Sequence, residues 1–479
     1  MLALVAAVMA WGCFQRGPWY DEFYTQFVSR PELPWGTALT GSWLPDNHPP
    51  LYYALARASA WLGEIEYHRL LNLGIGALAV AGGIVVVRDV PRLATTGTAL
   101  VMAVAANHWT MLAGTELRSY FLSLCAGAVL ALSLCAIRMT GSGGSRGRRA
   151  VYWIAALLAF NTHIVTSLTA AALVAPFLAA ALLRRDLTEA RIIALPPLVG
   201  GLVLCTVAAV QLPYWLGNTT VFWIGEGFAP AYWAMHYAVL RTAEANPLLL
   251  AGALAGAALM ARDVALRRQP SAEAGALALL VGGGVLAIVG LVALHLLRPL
   301  VIEKYLMALV AMEMVGLALA FARMLRALGP RIGALTLAVT AAASIPGLIQ
   351  STTSAVMHRS WFASGRAVAA EAALCPGTVI HGGDWWNDDV LALQPQDNAR
   401  VVPYAYRAVA DRLGFRLAPA GSHSLSRNCP TIFWGEHDNK LVFDRDHVAA
   451  RLRAEGFPDL PLTFRRIGSG WIAVTPPRR

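Results

Sequence analysis

The chain has 479 residues, 57% of them hydrophobic and 14% charged, with a mean hydropathy of +0.54. Soluble domains carry about 25% charged residues, so an ordinary soluble protein is excluded and a polytopic α-helical membrane protein is expected. The formal charge of +10 does not point to nucleic acid, because the basic residues punctuate apolar segments instead of forming a stripe; they read as topology signals.

The first apolar stretch runs from Met1 to about Phe14. It carries neither a basic n-region nor an A-x-A cleavage site, and reads as a retained first helix. Directly after it, "PWYDEFYTQF" (18 to 27) sets Asp21 and Glu22 side by side among aromatics. "DNHPPLYY" (46 to 53) follows and opens the apolar stretch 48 to 63. Further stretches lie at 66–88, 94–112, 116–138, 151–162, 164–183, 191–212, 246–261, 275–297, 301–322 and 332–350.

Charge sets their orientation. "TGSGGSRGRR" (140 to 149), "RRDLTEAR" (184 to 191), "ARDVALRRQ" (261 to 269) and "RMLRALGPR" (323 to 331) read as cytoplasmic loops, which puts "RDVPR" (88 to 92) inside and the loop around Thr115 to Arg118 outside. Parity then forbids 48–63 from spanning. With Pro49 and Pro50 at its start and Arg57 within, it reads as a juxtamembrane helix lying at the interface. About 11 spanning helices result, with the N-terminus inside. The segment 213 to 245, rich in Trp and Tyr, reads as interfacial and as a candidate lid.

Beyond residue 350 no apolar run is long enough for a bilayer core of about 30 Å, so the chain divides into a membrane domain, 1–350, and a soluble tail, 351–479. Strand-like runs at 377–383, 399–406, 430–436 and 464–476, with a helical run at 447–456, predict a small α/β domain on the outer side. Cys375 and Cys429, the only tail cysteines, are a candidate disulfide in an exported domain; Cys13, Cys125, Cys135 and Cys205 read as small buried hydrophobes. "HGGDWWNDD" (381 to 389) and "WGEHDNK" (434 to 440) read as surface turns or as acceptor- or metal-binding loops, with Trp385, Trp386 and Trp434 as candidate sugar-stacking groups.

One outer face thus collects Asp21, Glu22, Asp46, His48, Glu116, Arg118, His163, Glu303 and Lys304. Singly, each has a plain structural reading. Asp21 and Glu22 suit a helix cap and first turn, Arg118 and Lys304 a snorkelling cation, His163 a hydrogen-bonded core residue. Jointly, ionisable groups converging at membrane depth indicate a functional site. Carboxylates facing several cations suit a reaction in which a hydroxyl is deprotonated and an anionic group departs. Asp21 is then the candidate base, and Arg118, His163 and Lys304 the groups that hold a leaving phosphate.

The order "DE", "HPPLYY", "ELRSY", "NTH" and "RPLVIEKYL" resembles the family 39 glycosyltransferases of the GT-C fold, relatives of the protein O-mannosyltransferases and lipid A aminoarabinose transferases, over about residues 1 to 325. The resemblance implies an inverting transfer from a polyprenyl-phosphate sugar donor to a glycan, lipid or protein acceptor at the outer face of a bacterial cytoplasmic membrane. It implies Asp21 as the catalytic base and Glu116 as the acidic position of the second outer loop, with Glu22 as a helix-capping neighbour or a supporting catalytic acid, and His48, Arg118, Tyr120, His163, Lys304 and Tyr305 as the donor-phosphate group. Lys304-Tyr305 stands where the family carries Arg-Tyr. No cofactor is firmly implied; a divalent metal held by Asp21 and Glu116 is left open. The rival readings are an envelope polysaccharide polymerase or ligase using a diphosphate-linked donor and a lipid or solute transporter, although no paired inverted repeat is evident.

Overall fold

The computed structural model describes residues 1–46, 48–141, 144–217, 224–267, 271–382, 400–436 and 444–477. Each apolar stretch expected to span falls on helix. In chain order the helices are α1 (Leu2–Gln15), α2 (Tyr20–Ser29), a single turn α3 (Trp35–Thr37), α4 (Leu51–Ala58), α5 (Ile65–His68), α6 (Leu71–Arg88), α7 (Pro91–Ala106), α8 (His108–Gly114), α9 (Tyr120–Thr140), α10 (Arg146–Thr162), α11 (Ile164–Leu183), α12 (Leu187–Gly217), α13 (Phe228–Glu244), α14 (Pro247–Arg267), α15 (Ala272–Leu297) and α16 (Met307–Met357).

Seven helical stretches among the described residues are long and apolar enough to cross a membrane, and the chain is a multi-pass membrane protein. One of the seven, α16, breaks at Gly329 (φ 77°, ψ 171°), ahead of Pro330, the Gly-then-Pro stop that ends a helix. A Cβ on Gly333 would stand 2.9 Å from the Leu325 carbonyl oxygen, a contact impossible eight residues along a straight helix. The chain therefore doubles back there, and each arm is long enough to cross. The expected stretch 94–112 is divided between α7 and α8 at Asn107, whose side chain caps the second helix through the Trp109 N–H at 2.8 Å. Close packing is carried by small residues: a Cβ on Gly256 would sit 1.8 Å from the Ala320 carbonyl oxygen, and Gly252 and Gly256 form the small-xxx-small face that lets α14 approach α16.

The loops expected inside meet at one end of the bundle. Arg323 pairs with Asp263 at 2.6 Å; Arg326 pairs with Glu273 at 2.7 Å and donates to the Arg92 carbonyl at 3.1 Å. The first arm of α16 starts roughly 25 Å away at Met307, beside the remaining unusual residues.

The tail adds α17 (Trp361–Leu374), α18 (Val401–Leu413), α19 (Arg445–Ala454) and a four-stranded sheet, β1 (Val379–Gly382), β2 (Thr431–Glu436), β3 (Thr463–Ile467) and β4 (Gly470–Val474), in the order β1-β2-β4-β3. β1 pairs parallel with β2, and β4 antiparallel with both β2 and β3. Two expectations are corrected. The run 399–406 is helical over α18, because Val401, Val402, Ala405, Tyr406, Val409 and Ala410 bury one helical face, and Pro403 stands in the first turn, where its missing N–H is not needed. The run 464–476 is a hairpin, closed at Gly468 (φ 62°).

Cys375 and Cys429 are joined in a disulfide, with Cα atoms 5.8 Å apart. Cys205 is exposed on α12, whereas Cys13, Cys125 and Cys135 are buried. Trp434 is fully buried, donates to Ser364 Oγ at 2.9 Å and packs on Tyr406 and Phe415; it belongs to the tail's core and is corrected from a sugar-stacking role. Trp385, Trp386 and residues 437–440 lie outside the described residues. That core is continuous with the membrane part: Trp19, Phe23, Ile65 and Leu117 pack with Trp361, Val402, Val409 and Ile472.

Candidate active site

The stretch that carries Asp21 becomes helical at Tyr20, with Trp19 as the extended N-cap and both acids in the first turn, where they complement the helix dipole. Neither acid is the cap. Phe23, Tyr24, Phe27 and Val28 are buried, which fixes the roll of α2 and sends Asp21 and Glu22, one residue apart, in different directions.

Asp21 Oδ2 accepts from Lys304 Nζ at 2.8 Å and lies 3.8 Å from Arg118 Nε. Asp21 and Lys304 keep 20% and 22% of their side-chain surface exposed, Arg118 only 7%. Burial pushes the Asp21 carboxyl up, but Lys304 and Arg118 outweigh it and hold it at about 2. Arg118 also donates to Thr25 Oγ1 at 3.1 Å and lies 3.5 Å from His48 Nε2. The other imidazole nitrogen of His48, Nδ1, is 3.3 Å from Asp46 Oδ2, which also accepts from the Tyr53 hydroxyl. Gln211 of α12 donates to the carbonyls of Trp43, Asp46 and His48 at 3.0–3.1 Å, fixing this turn.

Aromatic rings wall the cluster. Tyr305 lies 4.4 Å from His163 and 5.9 Å from Tyr120 between centroids; His48 lies 5.0 Å from His163. Lys304 Nζ is 4.5 Å from the Trp19 centroid and 5.4 Å from that of Tyr120, within cation–π range. Asp21, His48, Arg118, Tyr120, His163, Lys304 and Tyr305 are therefore brought together from five separate segments. Pro49, Tyr52, Tyr53 and Ser119 pack closely beside His48 and Arg118.

Two expectations are corrected. Both oxygens of Glu22 are taken by Arg69, at 2.7 and 2.6 Å, and Oε1 accepts the Leu117 N–H as well. With no exposed surface, Glu22 is a buried strut between α2, the head of α6 and the loop before α9, not a catalytic acid. Glu116 is buried against Arg16, 4.0 Å away; burial raises its carboxyl pKa, and Arg16 offsets this only in part. His163 Nδ1 accepts the Val165 N–H at 3.2 Å, so the ring is neutral and offers Nε2–H as a donor.

A metal on Asp21 and Glu116 does not fit this donor set. Two cations already face Asp21 Oδ2, and among the described residues no three His, Cys, Asp or Glu side chains gather as a metal site. Residues that sequence reasoning passed over are Arg16 and Arg69, both fully buried, and Trp19 and Arg359. An arginine at the head of a membrane helix, as Arg69 is, was the available signal for a buried partner.

No family model and no curated protein matches the sequence. Among solved structures, ArnT from Cupriavidus metallidurans matches along nearly the whole of both chains. Its complex with undecaprenyl phosphate aligns at TM-score 0.53 and 13% identity, covering 99% of this chain and 97% of that one. The apo state aligns at 0.54 and 12%, covering 99% and 96%. The chain has the GT-C fold. At such identity the likeness concerns backbone architecture. The GT-C frame accounts for a bundle whose loops and tail converge on one end, and the chemistry there is read from this chain's own side chains.

Proposed function

We propose that the protein is a membrane glycosyltransferase that moves a sugar from a polyprenyl-monophosphate donor to an acceptor hydroxyl with inversion, at the outer face of a bacterial cytoplasmic membrane. The observation that carries this reading is the triad of Asp21, Lys304 and Arg118 (2.8 and 3.8 Å) at the end of an apolar bundle, where a lipid phosphate would lie with its tail among helices. That a solved neighbour of the same fold is bound to undecaprenyl phosphate supports the donor class.

In the transfer, Asp21 takes the proton of the acceptor hydroxyl as its oxygen bonds to the anomeric carbon. The bond from that carbon to the phosphate oxygen breaks, and its electron pair leaves with the phosphate. Arg118 offers a bidentate fork, Lys304 a point charge, and neutral His163 a hydrogen bond. A carboxyl held at about 2 is a weak base, but an arriving donor phosphate competes for Lys304 and Arg118. Each contact it makes loosens their hold on Asp21 and raises its basicity. The donor therefore arms the base, which favours donor binding before acceptor and limits wasteful hydrolysis. The tail, packed on α2 through Trp361, Tyr404 and Tyr406, forms the outer wall of the site.

The test compares envelope glycans and lipids by mass spectrometry with and without the gene, and with the Asp21→Asn variant in its place. A mass increment lost in both the deletion and the variant is expected; an increment retained in the Asp21→Asn strain overturns the base assignment.

A further inference from the structure

Between α16 and α17 the chain passes beside the cluster just described and brings it another cation. Arg359 is one of two non-glycine residues with left-handed backbone among the described residues (φ 50°), a conformation a long side chain adopts only when its surroundings impose it. Its guanidinium carbon lies 4.9 Å from the Trp19 centroid, the ring that also carries Lys304 Nζ at 4.5 Å. The segment is clamped where it stands. The Trp361 N–H donates to the Pro18 carbonyl at 3.0 Å, and a Cβ on Gly17 would lie 1.9 Å from Ser360 Oγ and 2.9 Å from the Phe362 Cβ, so glycine leaves room for the side chains of the tail junction. Among the described residues no carboxylate lies within ion-pair distance of Arg359, although its charge helps to keep Asp21 ionised. Asp46 is engaged by His48. Arg118, Lys304 and Arg359 thus all bear on the Asp21 carboxylate.

We propose that Arg359 is a third phosphate-binding residue, delivered by the junction of the tail, that engages the departing polyprenyl phosphate. The proposal rests on the glycosyl-transfer reading above. In the donor the phosphate is a diester with one negative charge. Once the bond to the anomeric carbon breaks and its electron pair stays on the phosphate oxygen, a monoester forms whose second ionisation lies near pH 6. Two cations that also serve Asp21 match the single charge of the donor; the third matches the charge that appears as the sugar leaves.

The experiment measures binding of undecaprenyl phosphate to the purified full chain in detergent at pH 8 and pH 5, with undecaprenol as the uncharged control. Arg359→Gly removes the cation and relieves the left-handed backbone, so its thermal midpoint is expected at or above that of the wild type. Its affinity for undecaprenyl phosphate is expected to fall about tenfold at pH 8 and about threefold or less at pH 5, where the probe carries one charge. Undecaprenol binding should not change, and Arg359→Lys should recover part of the loss. Arg359→Gln, measured identically, carries the test if the glycine variant does not accumulate. Wild-type affinity at pH 8 in the charge-removing variants, equal losses at both pH values, or no recovery with lysine each overturns the role of Arg359 and leaves glycosyl transfer standing. A wild-type chain that binds undecaprenyl phosphate no better than undecaprenol overturns the glycosyl-transfer reading itself.

Discussion

Helix α2 carries two adjacent carboxylates in contrasting environments. Glu22 is sealed, with both oxygens on Arg69 and none of its surface exposed; Asp21 is held by Lys304 and Arg118 yet keeps a fifth of its side-chain surface open. A residue step of about 100° around a helix separates a strut from a candidate base. The difference lies in whether the carboxylate's partners are exchangeable. Arg69 is pinned by its further bonds to the carbonyls of Cys13 and Arg16 at 2.8 and 2.6 Å. Lys304 reaches Asp21 from a short turn and can turn to an incoming anion.

That contrast can be broken at either carboxylate. Asp21→Asn should lower transfer by about 10³-fold or more, in the range of a lost general base, while the chain still folds and still binds undecaprenyl phosphate; the readout is turnover set beside lipid binding. Glu22→Gln should act the other way round. Leaving Arg69 buried without a counter-charge costs about 3–5 kcal/mol, seen as a lower thermal midpoint and less folded protein, whereas turnover per folded molecule should change far less than in the Asp21 variant. If Glu22→Gln folds normally and is inactive, the division between the two acids fails.

Lys304→Gln sharpens the comparison from the cation side. Loss of one charged hydrogen bond should weaken undecaprenyl phosphate binding about tenfold, or roughly 1.5 kcal/mol, and flatten its salt dependence. A further effect concerns pH. Asp21 sits at about 2, below its unfolded value near 3.9, so the stability it contributes is full above about pH 4 and is lost as the pH falls through 2. A decline of about 2 kcal/mol over that window is expected in the wild type and should be missing from Asp21→Asn in thermal melts.

Much of the site was legible in the sequence. The order of "DE", "HPPLYY", "ELRSY", "NTH" and "EKY", with the parity of the charged loops, placed Asp21, His48, Arg118, His163 and Lys304 on one face, and the structure brings these five side chains together. Their individual states were not legible. Neutral His163 follows from the single N–H of Val165 aimed at Nδ1, and the confinement of Glu116 follows from Arg16. Trp434 reads as an exposed aromatic beside polar residues, but β2 is buried along its full length, which no local pattern announced.

What the sequence determined by itself was the multi-pass helical architecture and the end of the bundle at which chemistry gathers, because hydropathy and loop charge are local properties that add along the chain. Only the tertiary structure decided which acid is free and which cations reach it. Asp21 meets Lys304 across 283 positions, Glu22 meets Arg69 across 47, and Arg359 meets Trp19 where Gly17 lets the tail junction close on the segment between α1 and α2. Such pairings depend on how distant segments pack, and one residue step around α2 reverses the outcome.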